Sequence, residues 1–198
     1  MAGLLSQKDR RLLAAFLRFN ADAALAMLRD NPEGCLPEVV RIADEESPAD
    51  SEQIASLLRR FSDECASIVE DLRILEAIPQ GSPHLTGLAV DLGRSIASRL
   101  ATDDTASSVL MRAEVLSDLS ERLETAGDPL AGRAASEESV RLFRAYSKED
   151  ASVLPKLVAA LKCLAKRCSS GRDHVAAVAV ATEAVEVAIS IAEGLAGV

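Results

Sequence analysis

Cys163, Cys168 and His174 are the residue types in this chain most able to serve as nucleophile, base or metal ligand, and they lie close together in sequence. A closed zinc site needs four ligands of suitable geometry. The chain has only two histidines, His84 and His174, and its other cysteines are Cys35 and Cys65. Cys163 and Cys168 are five positions apart, which on a helix leaves them about 140° from a shared face. A cysteine nucleophile would also need a base and an orienting group. The spacing therefore favours structural thiols, with no metal and no cofactor. Cys65 and Cys163 fall on apolar helical stripes, where cysteine packs as a small hydrophobe. His84 follows Pro83 at a helix start and reads as a surface residue. Paired carboxylates occur at Asp103-Asp104 and in Asp44-Glu45-Glu46, in loops and helix ends, where they suit caps and solubility. No Gly-rich phosphate loop, Gly-x-Ser-x-Gly or His-Glu-x-x-His occurs, so no enzyme is expected. One cationic pair remains. Lys162 and Lys166 are four apart and share a helix face.

The elements that must position these residues are helices. The chain of 198 residues is 48% apolar but only 3% aromatic, and alanine and leucine dominate. Such side chains favour helix and let helices approach closely. Runs of β-branched residues between turn signals are absent, so no sheet is expected. The length fits one all-helical domain or two small ones. The formal net charge of -9 argues against nucleic acid, whose phosphates demand cations, and against an anionic membrane surface. No apolar run approaches the ~20 residues that a membrane span needs. The N-terminus lacks a convincing secretory cleavage pattern. A soluble, acidic, cytoplasmic protein with reduced thiols follows.

Apolar periodicity predicts about nine helices with short connections. The first two cover 7–19 and 21–29, with Asn20 as junction and N-cap. Pro37 suits the first turn of a helix over 37–44. The cleanest pattern is 51–78, where Ile54, Leu57, Leu58, Phe61, Cys65, Ile68, Leu72 and Leu75 recur at spacings of three and four. It predicts one spine of about 42 Å at 1.5 Å per residue. Pro79-Gln80-Gly81-Ser82-Pro83 is the strongest breaker and marks the organisational boundary, with a capping bundle over 1–80 and a second region over 84–198. Helices over 84–100, 106–125, 130–146, 153–169 and 174–195 follow, with Asp128 and Asp173 as N-caps and Pro129 at a first helical position.

The second region repeats. Leu116, Leu119, Ser120, Arg122, Ala134, Glu138 and Val140 align with Leu161, Leu164, Ala165, Arg167, Ala179, Glu183 and Val185, each pair separated by 45 positions. Each copy reads as a helix, a turn centred on Gly127 or Gly171, and a second helix. A helix pair at this period marks a helical solenoid, whose members mostly bind proteins.

These residues resemble the tetratricopeptide repeat. Leu116-Ser-Asp-Leu119-Ser120 and Glu137-Glu138-Ser139-Val140-Arg141-Leu142 carry the likeness in the first copy, and Leu161-Lys-Cys-Leu164-Ala165 and Glu183-Ala184-Val185-Glu186 in the second. It covers roughly 109–192. Gly132 and Ser139 stand where the family has alanine, and the second copy reaches Gly171 one residue early. The resemblance implies an all-α, antiparallel helix-hairpin solenoid wound as a right-handed superhelix, with the first helix of each pair lining a concave groove. Glu114, Ser117, Glu121 and Glu124 would face that groove from the first copy, and Ala159, Lys162, Lys166 and Ser169 from the second. The implied function is a scaffold or adaptor that grips a protein or peptide, with Glu114, Ser117, Glu121, Lys162 and Lys166 as binding residues. The lysines would hold an acidic peptide or a carboxylate, or the charges would simply form an inter-helix pair with Glu114 and Glu121. Two other classes stay open: a homo-oligomerisation module built on 51–78, and an enzyme on a helical scaffold.

Overall fold

A computed structural model describes residues 13, 15–17, 19–45 and 47–196. Every regular element among them is helical, and no strand occurs. The helices are α1 (Ala21–Asp30), α2 (Pro32–Glu45), α3 (Pro48–Cys65), α4 (Ile68–Ala77), α5 (Thr86–Leu100), α6 (Ala106–Thr125), α7 (Pro129–Tyr146), α8 (Leu154–Ser170) and α9 (His174–Ala196), with a 3-10 turn over Ala151–Val153 before α8. The expected helix over 7–19 lies largely outside the described residues. The chain divides into two compact units, Met1–Leu92 and Gly93–Val198, the division falling inside α5.

Local side-chain chemistry explains where most helices begin. The first turn of a helix leaves backbone N–H groups without partners, and a short polar side chain can accept them. Ser47, Thr105 and Asp128 accept from the N–H groups of Asp50, Ser108 and Ala131. Asp173 accepts from Ala176 at 3.1 Å. Asn31 Oδ1 accepts from Gly34 N–H at 3.1 Å and opens α2 with Pro32 as its first residue. That start overrides the one expected at Pro37, which sits inside α2. Asn20 precedes α1 but makes no side-chain cap bond.

In the first unit, α1 packs on α2 and α3, and α4 packs on α2 and α3. Leu25, Leu28, Val39, Ile54, Leu58 and Phe61 form its fully buried centre. The expected single spine over 51–78 is two helices. Ala66 adopts a left-handed conformation, φ 48°, and ends α3. The gain is visible at Asp71, which is buried and accepts a hydrogen bond from Ser62 Oγ at 2.5 Å. Nine residues apart on a straight helix, these groups would lie about 13 Å from each other along the axis. The apolar period of three and four carries through the break in phase, which is why the sequence reads as one helix. Leu57 and Phe61 are buried and Ile68 and Leu72 half-buried, so the stripe is not an open coiled-coil seam.

In the second unit, α6 packs on α7, α7 on α8, and α8 on α9. Side-chain pairs fix the relative directions. Lys156 pairs with Glu114 at a sequence separation of 42, and Ser120 Oγ lies 3.5 Å from Cys163 Sγ at a separation of 43. A near-constant offset along two helices means that α6 and α8 run parallel. Arg133–Asp173 and Arg144–Glu183, at separations of 40 and 39, show the same for α7 and α9. Two helical hairpins are therefore stacked, first helix beside first and second beside second.

The turns within the hairpins keep the 45-residue register but not the glycine. Gly127 takes the left-handed position, φ 83°, and Asp128 N–H bonds back to Leu123 carbonyl at 2.8 Å. In the second hairpin the left-handed residue is Arg172, φ 61°, with Asp173 N–H on Cys168 carbonyl at 2.9 Å. Gly171, expected at the centre, has φ −76°. Gly132 has a packing reason for being small: an added Cβ would stand 2.9 Å from Ser120 carbonyl. The aligned leucines Leu119 and Leu164 are both buried, as are Leu116 and Leu161.

One expectation about apolarity fails. His174–Gly194 is long and apolar enough to cross a membrane by length and composition, with a mean hydropathy of 1.9 over its best window. Glu183 and Glu186 divide the run, but the valines, isoleucines and alanines around them outweigh two carboxylates. Only 6% of that window is buried.

Candidate functional site

The candidate face is built from the two parallel first helices, α6 and α8. Lys162 and Lys166 are exposed on α8, as periodicity requires of positions between the buried Leu161, Leu164 and Arg167. Neither lysine forms an ion pair among the described residues. On α6, Glu114 and Glu121 are exposed and Ser117 is half-buried.

The expected pairing of Glu114 and Glu121 with these lysines does not form. Glu114 is taken by Lys156, nearer the start of α8. Glu121 approaches Arg167 at 3.8 Å. The reason is register: stacking sets α8 about 43 positions after α6, so Lys156 and Arg167 fall opposite the glutamates, and Lys162 and Lys166 turn away from them.

Arg167 is the residue that the motif reading undervalued. Its side chain is 2% exposed. It pairs with Glu124 and Glu121, and its Nε donates to Ser120 Oγ at 3.1 Å. Burial pushes its pKa below the usual guanidinium value, with Glu121 opposing. The repeat held a signal for this, because Arg122 occupies the equivalent position and is also buried, 2.6 Å from Asp118. A guanidinium taken out of water needs carboxylates around it. In both copies α6 supplies them.

Cys163 is half-buried against this cluster, 3.5 Å from Ser120 Oγ, 3.7 Å from Ser136 Oγ and 3.9 Å from Arg167 Nη2. Cys168 is buried in the core and His174 is exposed. Among the described residues no three His, Cys, Asp or Glu side chains gather where they could hold a metal. The Asp103 carboxylate caps: it accepts Ser108 Oγ at 2.6 Å and Thr105 N–H at 2.9 Å, which hold its pKa below the carboxylate range.

A cleft of about 290 Å³ lies in the first unit between α2 and α4, lined by Pro32, Leu36, Pro37, Arg73 and Glu76 among others. Its one cation is already engaged, since Arg73 bonds Glu70 at 2.7 Å and Glu33 at 3.0 Å. Chemically the cleft offers shape and a satisfied ion pair. The exposed face of α8 instead offers two cations, Lys162 and Lys166, held four residues apart on a helix. No protein-family model, no curated protein and no solved structure matches this chain.

Proposed function

We propose that this chain is a tetratricopeptide-like scaffold of the cytoplasm, a right-handed helical solenoid that binds an acidic peptide or partner helix along the exposed face of α8 and performs no catalysis. One observation carries the reading. Lys162 and Lys166 are exposed and form no ion pair among the described residues, while the cations on either side of them, Lys156 and Arg167, are engaged by glutamates of α6. Two like charges at this spacing repel by a few tenths of a kcal/mol. A ligand carboxylate would relieve that repulsion and gain a charge-assisted hydrogen bond. In a chain of net charge -9, such a local cationic point also selects orientation, because the surrounding surface repels acidic ligands.

The parallel alignment of α6 with α8 and of α7 with α9 supports the solenoid reading, since stacked hairpins bury a face that one hairpin cannot. The test is affinity capture from lysate with mass spectrometry, then titration of the recovered partner. Lys162→Glu/Lys166→Glu should weaken binding, and wild-type affinity should fall as salt rises. Both side chains are exposed, so circular dichroism should not change. Unaltered affinity and salt dependence in the double variant would refute the assignment.

A further inference from the structure

The chain around the junction of α3 and α4 carries no helix breaker. Ser62-Asp-Glu-Cys-Ala66-Ser-Ile68 contains neither glycine nor proline, and alanine is the strongest helix former. Yet Ala66 sits at φ 48°, ψ 31°, where the Cβ of an L-residue crowds the following carbonyl oxygen. Ser67 is extended, φ −113° and ψ 127°, and its side chain makes no cap bond for α4. Only these two residues separate the helices. The opening N–H groups of α4 have no helical carbonyls before them. In one continuous helix Glu64, Cys65 and Ala66 carbonyls would accept from Ile68, Val69 and Glu70. The apolar positions 61, 65, 68, 72 and 75 also keep their phase across the junction. Local preference thus favours one straight helix over 51–78, and the bend is held by tertiary contacts.

Those contacts are specific. α4 folds back on α2, and Ile74, Leu75 and Ile78 are buried. Buried Asp71 accepts from Ser62 Oγ on α3. Straightening a single chain would uncover the three apolar side chains and carry Asp71 about 13 Å along the axis from Ser62. A lone chain therefore stays bent. Two chains can straighten together without that loss. The α4 of each copy then takes the place on α2 that the other has vacated, and Asp71 of each meets Ser62 of the other. Every contact of the closed form recurs, two left-handed alanines relax into helix, and the opposing cost is the entropy of association. The occupant of the vacated surface is fixed, because α4 is the element that already fits it.

We propose that Ala66 is a hinge through which two copies of this chain exchange α4 and the chain beyond it. The product is a domain-swapped dimer in which 51–78 runs as one spine of about 42 Å. The bent monomer and the straight dimer are two packings of the same contacts, and protein concentration selects between them. The exchange is independent of the lysine face on α8.

Sedimentation of the full chain, refolded at concentrations from low micromolar to several hundred micromolar, tests it. Wild type refolded at the upper end should yield a dimer. Ala66 is exposed, so substitutions there leave the core intact. Glycine is at ease at positive φ and poor inside a helix, so Ala66→Gly should weaken the dimer about a hundredfold, tenfold for each of its two hinges. Ala66→Val should tighten it, because a branched side chain is an outlier at positive φ. A mixture reads the topology. Ser62→Cys chains refolded with Asp71→Cys chains should form an interchain disulfide that neither variant forms when refolded alone, since the two sites meet only across an exchanged pair. A monomer at every concentration in both wild type and Ala66→Val would overturn the proposal. So would a dimer indifferent to Ala66→Gly, or a dimer that gives no mixed disulfide.

Discussion

Adding one methyl group at Gly132 probes a close approach of α7 to α6. An ideal Cβ there lies 2.9 Å from Ser120 carbonyl oxygen, 3.6 Å from Glu124 N and 3.6 Å from Leu123 Cβ. The first contact is to backbone inside α6, so no rotamer change can relieve it. The helices must move apart, and overpacking of this kind costs about 1–3 kcal/mol. Alanine returns up to ~1 kcal/mol through its better helix propensity. Gly132→Ala should therefore destabilise the second unit by about 1 kcal/mol net, with the loss of contacts between Leu123 and α7 adding to it. Two other glycines of the same unit calibrate the effect. The three atoms nearest an added Cβ at Gly93 all belong to the Leu119 side chain, its Cδ1 closest at 3.1 Å, a flexible methyl, so Gly93→Ala should be near neutral. Gly194 has open space within 4 Å, so Gly194→Ala should be neutral or slightly stabilising. Urea unfolding followed by circular dichroism ranks the three midpoints. If Gly132→Ala matches or exceeds Gly194→Ala, α6 and α7 do not approach through Gly132, and close packing is not why glycine stands there.

Two further outcomes follow from the turns and the caps. Arg172 holds a left-handed conformation that costs a non-glycine residue roughly 1–2 kcal/mol, so Arg172→Gly should raise the unfolding midpoint of dilute protein, while Gly171→Ala, at negative φ, should not; equal midpoints for Arg172→Gly and wild type would contradict the turn. Acid should destabilise the fold: Asp173, held below the usual carboxylate range by Ala176 N–H and Arg133, and Glu138, held down by Arg141 and Arg112, bind protons less readily folded than unfolded. Their stabilisation is present above the ordinary carboxylate range and is lost as pH falls through their lowered folded values. Asp173→Asn should flatten the urea midpoint between neutral and acid pH, and an unchanged slope would count against it.

What a residue does to its near neighbours in the chain is legible in the sequence alone. Asp128 and Asp173 cap helices, α6 spans 106–125 as its periodicity requires, and Leu119 and Leu164 are buried. Each of these rests on contacts a few residues away or on the repeat, and both are written in the order of side chains. Distant pairing is not legible there. The break at Ala66 hides because the apolar period passes through it in phase, and only the Ser62–Asp71 bond and the packing of α4 on α2 reveal why the chain turns at that point. Glu114 meets Lys156 and not Lys162 because hairpin stacking sets the register between α6 and α8, a quantity that no single helix encodes. Val140 and Val185 are the same residue at the same repeat position, yet one is 1% exposed and the other 58%. Side-chain type determines that a face is apolar. Whether another helix lies against that face depends on which surface the rest of the fold has left to cover it.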